Sequence, residues 1–201
     1  MRCAESSAVH VRGYGGLSGK RLNGTIRVFV GLLFSFSPLV AGSARGADGP
    51  DPVPPATQAT LHVTESVELP VSRARAWKAI RDFNGLHDWH PAIAGTEIIQ
   101  GKGNVEGTVR VLTTKDGTKL TEELLAYDDG GRTYKYKIIT SSLPVTNCVS
   151  IIGVGPGKDG GSMVTWYSTF KAKDGTGDAD ARTAISGFFR TGLDNLKATL
   201  K

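Results

Sequence analysis

The sequence predicts an α+β domain: a curved seven-stranded antiparallel sheet around a long C-terminal helix, with two short helices after the first strand. Three observations predict it. Between Gly95 and Ala172 apolar residues recur at every second position, and turn signals break the pattern repeatedly. A stripe of about 20 residues with helical spacing closes the chain. Ahead of both, a single strand runs into a short amphipathic segment.

In chain order the first element is a leader, residues 1–46. It holds Arg2, Arg12, Lys20, Arg21, Arg27 and Arg45 against Glu5 alone. Lys20, Arg21 and Arg27 precede the apolar run VFVGLLFSFSPLVA (Val28–Ala41), and the small residues GSARGA follow it. Basic, then apolar, then small is the order of a secretory signal peptide. Cleavage is expected after Ala44 or Gly46. The run falls short of the about 20 residues that span a bilayer, so no stable membrane insertion is expected after cleavage. The mature protein is expected in the periplasm or outside the cell.

From Ala47 onward the chain carries 18 basic and 18 acidic residues. The net charge of +5 therefore belongs to the leader, and the neutral remainder offers no footprint for nucleic acid. Cys3 leaves with the leader and Cys148 is then alone, so a core rather than a disulfide must hold the domain.

Residues 47–59 read as an extended linker, with four prolines in ADGPDPVPPATQ. Residues 60–201 form the domain. TLHVTESVEL is a strand with one wet face and an expected register change near Glu65; Pro70 ends it. Ser72 is a plausible N-cap for RARAWKAIRDF, whose Ala76, Trp77, Ile80 and Phe83 share one face. NGLHDWHP adds a turn and one more helical turn, closed by Pro91.

Six strands follow, at about Thr96–Gln100, Gly107–Thr114, Lys119–Tyr127, Tyr134–Thr140, Val145–Gly153 and Ser162–Ala172. GKGN, KDG, DDGG, SSLP and GPGKDGG separate them, and KDGTGD ends the last. Such short connections require antiparallel neighbours. In the closing helix Ala181, Ile185, Phe188, Phe189, Gly192, Leu193, Leu196 and Leu200 form the apolar stripe, with Asp178 or Asp180 as cap. Its only large partner is the concave face of the sheet. Small residues there (Ser150, Gly187, Gly192) beside Phe188 and Phe189 predict a cavity rather than a filled core.

This order resembles the helix-grip fold of the START / Bet v 1-like (SRPBCC) superfamily over about Thr60 to Lys201. Within it the chain is most similar to bacterial relatives of the plant abscisic-acid receptors, of the polyketide cyclase/dehydrase or methanol-oxidation accessory type. AWKAIRDFNGLHDWHPAI, TEELLAYDDGGRTYKYKII, SSLPVTNCVS and the closing helix carry the resemblance. It implies a pocket for a hydrophobic small molecule, lipid-, polyketide- or isoprenoid-like, between sheet and long helix, with no cofactor. KDGT (Lys115–Thr118) and SSLPV (Ser141–Val145, with Leu143 and Pro144) would be loops at its mouth. Glu122, Tyr136, Ile138, Ser150, Tyr167, Phe188 and Phe189 would face it. The chain departs from the hormone receptors at Ala94, where they hold a carboxylate with lysine, and at Gly192, where their last helix has a polar residue.

The stretch HDWHP then has three readings. His87, Asp88 and His90 as metal ligands would diverge on so short a turn, and no metal is expected. His90 with Glu122 could act as acid and base. The plainest reading makes Trp89 the plug of the entrance and His90 a hydrogen-bonding partner of a loop. Glu122 is expected inside, its carboxyl raised by desolvation; Cys148 is expected to be inert. A carrier of a hydrophobic molecule is therefore the leading expectation. A cyclase/dehydratase-type enzyme with the same cavity, and an accessory protein docking to a periplasmic dehydrogenase, are the alternatives.

Overall fold

The computed structural model describes residues 58–201, so the expected leader and nearly all of the linker lie outside the described residues. Chain order is β1 (Leu61–Leu69), α1 (Arg73–Ile80), α2 (Leu86–Trp89), β2 (Ile93–Gln100), β3 (Val109–Thr114), β4 (Lys119–Asp128), β5 (Thr133–Thr140), β6 (Val145–Pro156), β7 (Ser162–Ala172) and α3 (Asp178–Thr199). The strands form one curved antiparallel sheet in the order β1-β7-β6-β5-β4-β3-β2. Every neighbour is joined by a hairpin except β1, which pairs with the last strand. The expected helix-grip architecture is present.

Local chemistry sets the element ends. Ser72 caps α1 by accepting from the Arg75 N–H, and Ala76, Trp77 and Ile80 bury its inner face. Gly117 sits at φ +85° in the β3–β4 turn, where a side chain would be strained. In α3 the cap is Gly177, not an aspartate; Asp178 and Asp180 lie in the first turn, where their charges favour the positive end of the helix.

Along β7 burial alternates without a break, with Val164, Trp166, Ser168 and Phe170 inward. The register change expected near Glu65 is absent: β1 pairs residue for residue from Leu61↔Phe170 to Leu69↔Ser162. Glu65 holds an inner-face position because α3 satisfies it. Arg190 Nε lies 2.5 Å from one carboxylate oxygen, and the Ser186 hydroxyl donates to the other at 2.5 Å. A carboxylate on the core side is thereby tolerated at the sheet's edge.

Candidate functional site

Inside the sheet lies a polar pair of which sequence reading supplied one half. Arg110 on β3 and Glu122 on β4 are directly opposite across the hairpin. Both are buried, and Nε and Nη2 of Arg110 donate to one Glu122 oxygen at 2.9 and 2.6 Å. Nη1 donates to the Phe83 carbonyl, and the guanidinium lies 4.0 Å from the centre of the Phe83 ring. Burial pushes the Glu122 carboxyl up, with Arg110 opposing. Burial alone would lower Arg110, but the charge of Glu122, with Tyr134 and Tyr136, holds it above its ordinary value. Glu122 is thus inside, as expected, but committed to an arginine rather than free to bind a guest or move a proton.

His90 is fully buried. The Ala92 N–H donates to its Nδ1 at 3.2 Å, which fixes the proton on Nε2; Nε2–H donates to the Phe188 carbonyl at 2.9 Å. Both nitrogens are in use within the fold, which leaves none for acid–base work. Burial lowers its pKa, against the hydrogen bond to Phe188. Below about pH 6.5 the unfolded chain takes a proton that the folded chain refuses, so stability falls with pH. Urea midpoints are expected to decline from pH 7 to pH 5, and His90→Gln to flatten that decline; an equal slope in both proteins rules the assignment out.

His87 does not join His90. It is exposed and contacts Thr96 at 2.8 Å and Asp88 at 3.3 Å. Among the described residues no cluster of three or more His, Cys, Asp or Glu side chains could hold a metal ion.

Trp89 is not a lip but a core residue, 5.5 Å from Trp166 between ring centres. Phe189 stacks on Trp166 at 4.3 Å and Phe188 stacks on His90 at 4.2 Å. The hollow expected at Gly192 is filled. A Cβ built there would stand 2.5 Å from His90 Cδ2 and 2.9 Å from Trp89 Cζ3. The glycine exists to admit those rings, so a small residue on the helix signals close approach, not empty space.

Tyr136 is buried and its hydroxyl accepts from Trp166 Nε1 at 3.0 Å. Ser150 donates to Ser168 at 3.1 Å, and Cys148 Sγ lies 3.2 Å from the same hydroxyl. Burial raises the Cys148 thiol. Tyr167 does not face the interior: the β7 alternation turns Trp166 inward, and the Tyr167 hydroxyl meets His62 Nδ1 at 2.9 Å on the outer face.

Open space lies elsewhere. β5 and β6 pair only from Thr133↔Gly153 to Lys137↔Val149. Beyond that point they part, while β5 stays paired to β4 up to Thr140 and β6 to β7 from Val145. A bulge between Thr146 and Val149, with Asn147 at φ +51°, accompanies the split. The resulting cleft holds about 590 Å³, and Ile138, Ile139, Val145, Cys148, Val149 and Lys173 are among its lining. Ile138, Val145 and Cys148 are on the inner face and Lys137 and Val149 on the outer. Ser141 also lines it, at one end of the SSLPV loop. Leu143 packs on the core, and the Pro144 carbonyl accepts from the Lys173 N–H. The KDGT turn is not part of it; the Lys115 N–H is tied to the Ala92 carbonyl.

Comparison with known proteins agrees with this architecture. The model of the family "Polyketide cyclase / dehydrase and lipid transport" matches residues 60–201. No curated protein matches the chain. Among solved structures, XoxI of Bacillus cereus is 34% identical, with a TM-score of 0.64, over 69% of this chain and 94% of its own. An uncharacterized protein of Bacillus thuringiensis is 33% identical, with a TM-score of 0.65, over 70% and 98%. Ara h 8.0201, at 22% identity and a TM-score of 0.59 over 71% and 98%, shares the fold. With its sheet, its gripping helix and a family match that spans the described domain, the chain belongs to the polyketide cyclase / dehydrase and lipid transport family, within the SRPBCC, Bet v 1-like superfamily.

Proposed function

We propose that this protein binds a hydrophobic small molecule, lipid-, polyketide- or isoprenoid-like, as a carrier rather than as an enzyme. The observation that carries the reading is the cleft between β5 and β6. Its about 590 Å³ lies within the range of ligand pockets, and Ile138, Ile139, Val145 and Val149 give it apolar walls. Ile139 lines the cleft and is 47% exposed, so a guest that covers it removes apolar surface from water. The carrier reading is favoured over a cyclase or dehydratase because both candidate proton-transfer groups are engaged, His90 through both nitrogens and Glu122 through Arg110. Export belongs to the same proposal, and rests on Lys20, Arg21 and Arg27 before Val28–Ala41.

The test is titration of the protein with a neutral apolar dye, Nile red. Saturable binding at one site per chain is expected. Ile139→Asp places a charge in an apolar wall at an exposed position, where folding is undisturbed, and is expected to weaken binding about tenfold or more. Absence of saturable binding, or binding indifferent to Ile139→Asp, overturns the proposal.

A further inference from the structure

We infer that the outer, convex face of β5, β6 and β7 docks reversibly on an anionic lipid surface. The inference goes beyond the carrier reading and does not depend on it, since it concerns a face of the sheet and not a guest. Ile139 and Ile151 are 47% and 38% exposed there, two of the four large apolar side chains left in water among the described residues. They do not stand singly. Ile151 pairs with Tyr167 of β7 on the same face, and Val149 lies two residues before it on β6. Val149 stands opposite Lys137, two residues before Ile139 on β5, and lines the same cleft as Ile139. Ile139, Val149, Ile151 and Tyr167 thus make one apolar strip across three strands.

Cations frame the strip. Lys135 stands opposite Ile151 and Lys137 opposite Val149. The burial alternation of β5 and β7 turns Lys135, Lys137 and Lys171 outward, and exposed Lys173 follows β7. The three strands contain no Asp, Glu or Arg. At the margins Glu123 lies 2.8 Å from Lys137, Asp128 accepts from the Gly131 N–H, and Asp174 accepts from Gln58 Nε2. The chain from Ala47 onward is neutral, so attraction to an anionic surface comes from this local excess and not from bulk charge. Helix α1 is also basic, with Arg73, Arg75, Lys78 and Arg81, but none of its large apolar side chains is exposed.

Lipid fits this face better than an acidic protein does. Protein interfaces enrich arginine and deplete lysine, whereas this face offers four lysines and no arginine. Lysine stems lie along apolar surface and carry their charge to head groups, while isoleucines beside them dip below. Each lysine near an anionic leaflet adds about fivefold in affinity, which makes the contact reversible rather than an anchor.

Lysine footprinting of the full chain tests this: acetylation by a water-soluble ester, read residue by residue by mass spectrometry, with vesicles of phosphatidylglycerol or of phosphatidylcholine. Lys135, Lys171 and Lys173 are expected to react about fivefold more slowly with phosphatidylglycerol, and to lose that protection at high salt. Lys78 on α1 and Lys197 on α3 are expected to keep their rates, and phosphatidylcholine to protect none. Reading each lysine separately keeps any attraction of the basic residues 1–46 out of the comparison. Ile151→Asp and Lys135→Glu change exposed positions, with melting curves as folding controls. Each is expected to raise the vesicle concentration that half-protects Lys171 and Lys173 by about tenfold or more. Unprotected lysines on this face, equal protection of Lys78 and Lys197, protection by phosphatidylcholine, or protection that both variants leave intact overturns the inference. Protection by polyglutamate but not by phosphatidylglycerol assigns the face to an acidic protein and overturns it equally. Nile red is titrated without lipid, so either result leaves the carrier reading to its own test.

Discussion

Arg110→Met is expected to lower the stability of the domain by about 3–5 kcal/mol, because it strands the Glu122 carboxylate in an apolar interior. Glu122→Leu should cost a similar amount by stranding the guanidinium, which would keep only the Phe83 carbonyl as hydrogen-bond partner. Arg110→Met with Glu122→Leu removes both charges together and should regain most of the loss. An apolar pair of similar volume is often as stable as a buried ion pair. Urea unfolding of the three variants forms a double-mutant cycle, whose coupling energy should be large and favourable to the pair. If the two losses simply add, the carboxylate and the guanidinium do not depend on each other and this account of the sheet interior fails.

The second large effect is expected at Phe189. It is 2% exposed and stacked on Trp166 with rings 9° from parallel. Phe189→Ala removes the face of that stack and should cost about 3–5 kcal/mol, from lost transfer free energy and a cavity that a well-packed core does not close. The cavity would be apolar and dry, the kind that accepts benzene. Added benzene should therefore raise the melting temperature of Phe189→Ala and leave the parent unchanged. Phe188→Ala should cost less, since Phe188 is only partly buried and leans on His90. A loss under about 1 kcal/mol at Phe189, or a parent chain equally stabilised by benzene, would mean that the space under α3 is not filled as described.

Much of the fold was legible because period and punctuation agree. The strand at Ser162–Ala172 and the Ser72 cap follow directly from the residues. The candidate site was legible only in part, for identifiable reasons. The KDG turn places position 116 at the centre of its hairpin, and that centre pairs 110 with 122. The signal for Arg110 was present, but an arginine in a strand ordinarily reads as a solvated residue. Trp166 and Tyr167 are adjacent and both aromatic, so side-chain type cannot choose between them; the parity set by Val164, Phe170 and Ala172 does. Gly192 is ambiguous in sequence, since absence of a side chain fits both a void and a tight contact. The split between β5 and β6 depends on a bulge at Asn147, which no alternation of polar and apolar residues encodes.

The pairing of β1 with β7 also bears on how the chain matures. His62 and Tyr167, 105 positions apart, must meet before the first strand has any neighbour at all. On the ribosome the opening strand waits unpaired while the six others are made, and the aromatic floor of the sheet stays bare until α3 emerges last. Such late, distant closure makes folding slow and leaves a sticky intermediate in the meantime. Loss of even the final turns of α3, with Leu193 and Leu196, would keep a newborn chain in that aggregation-prone condition.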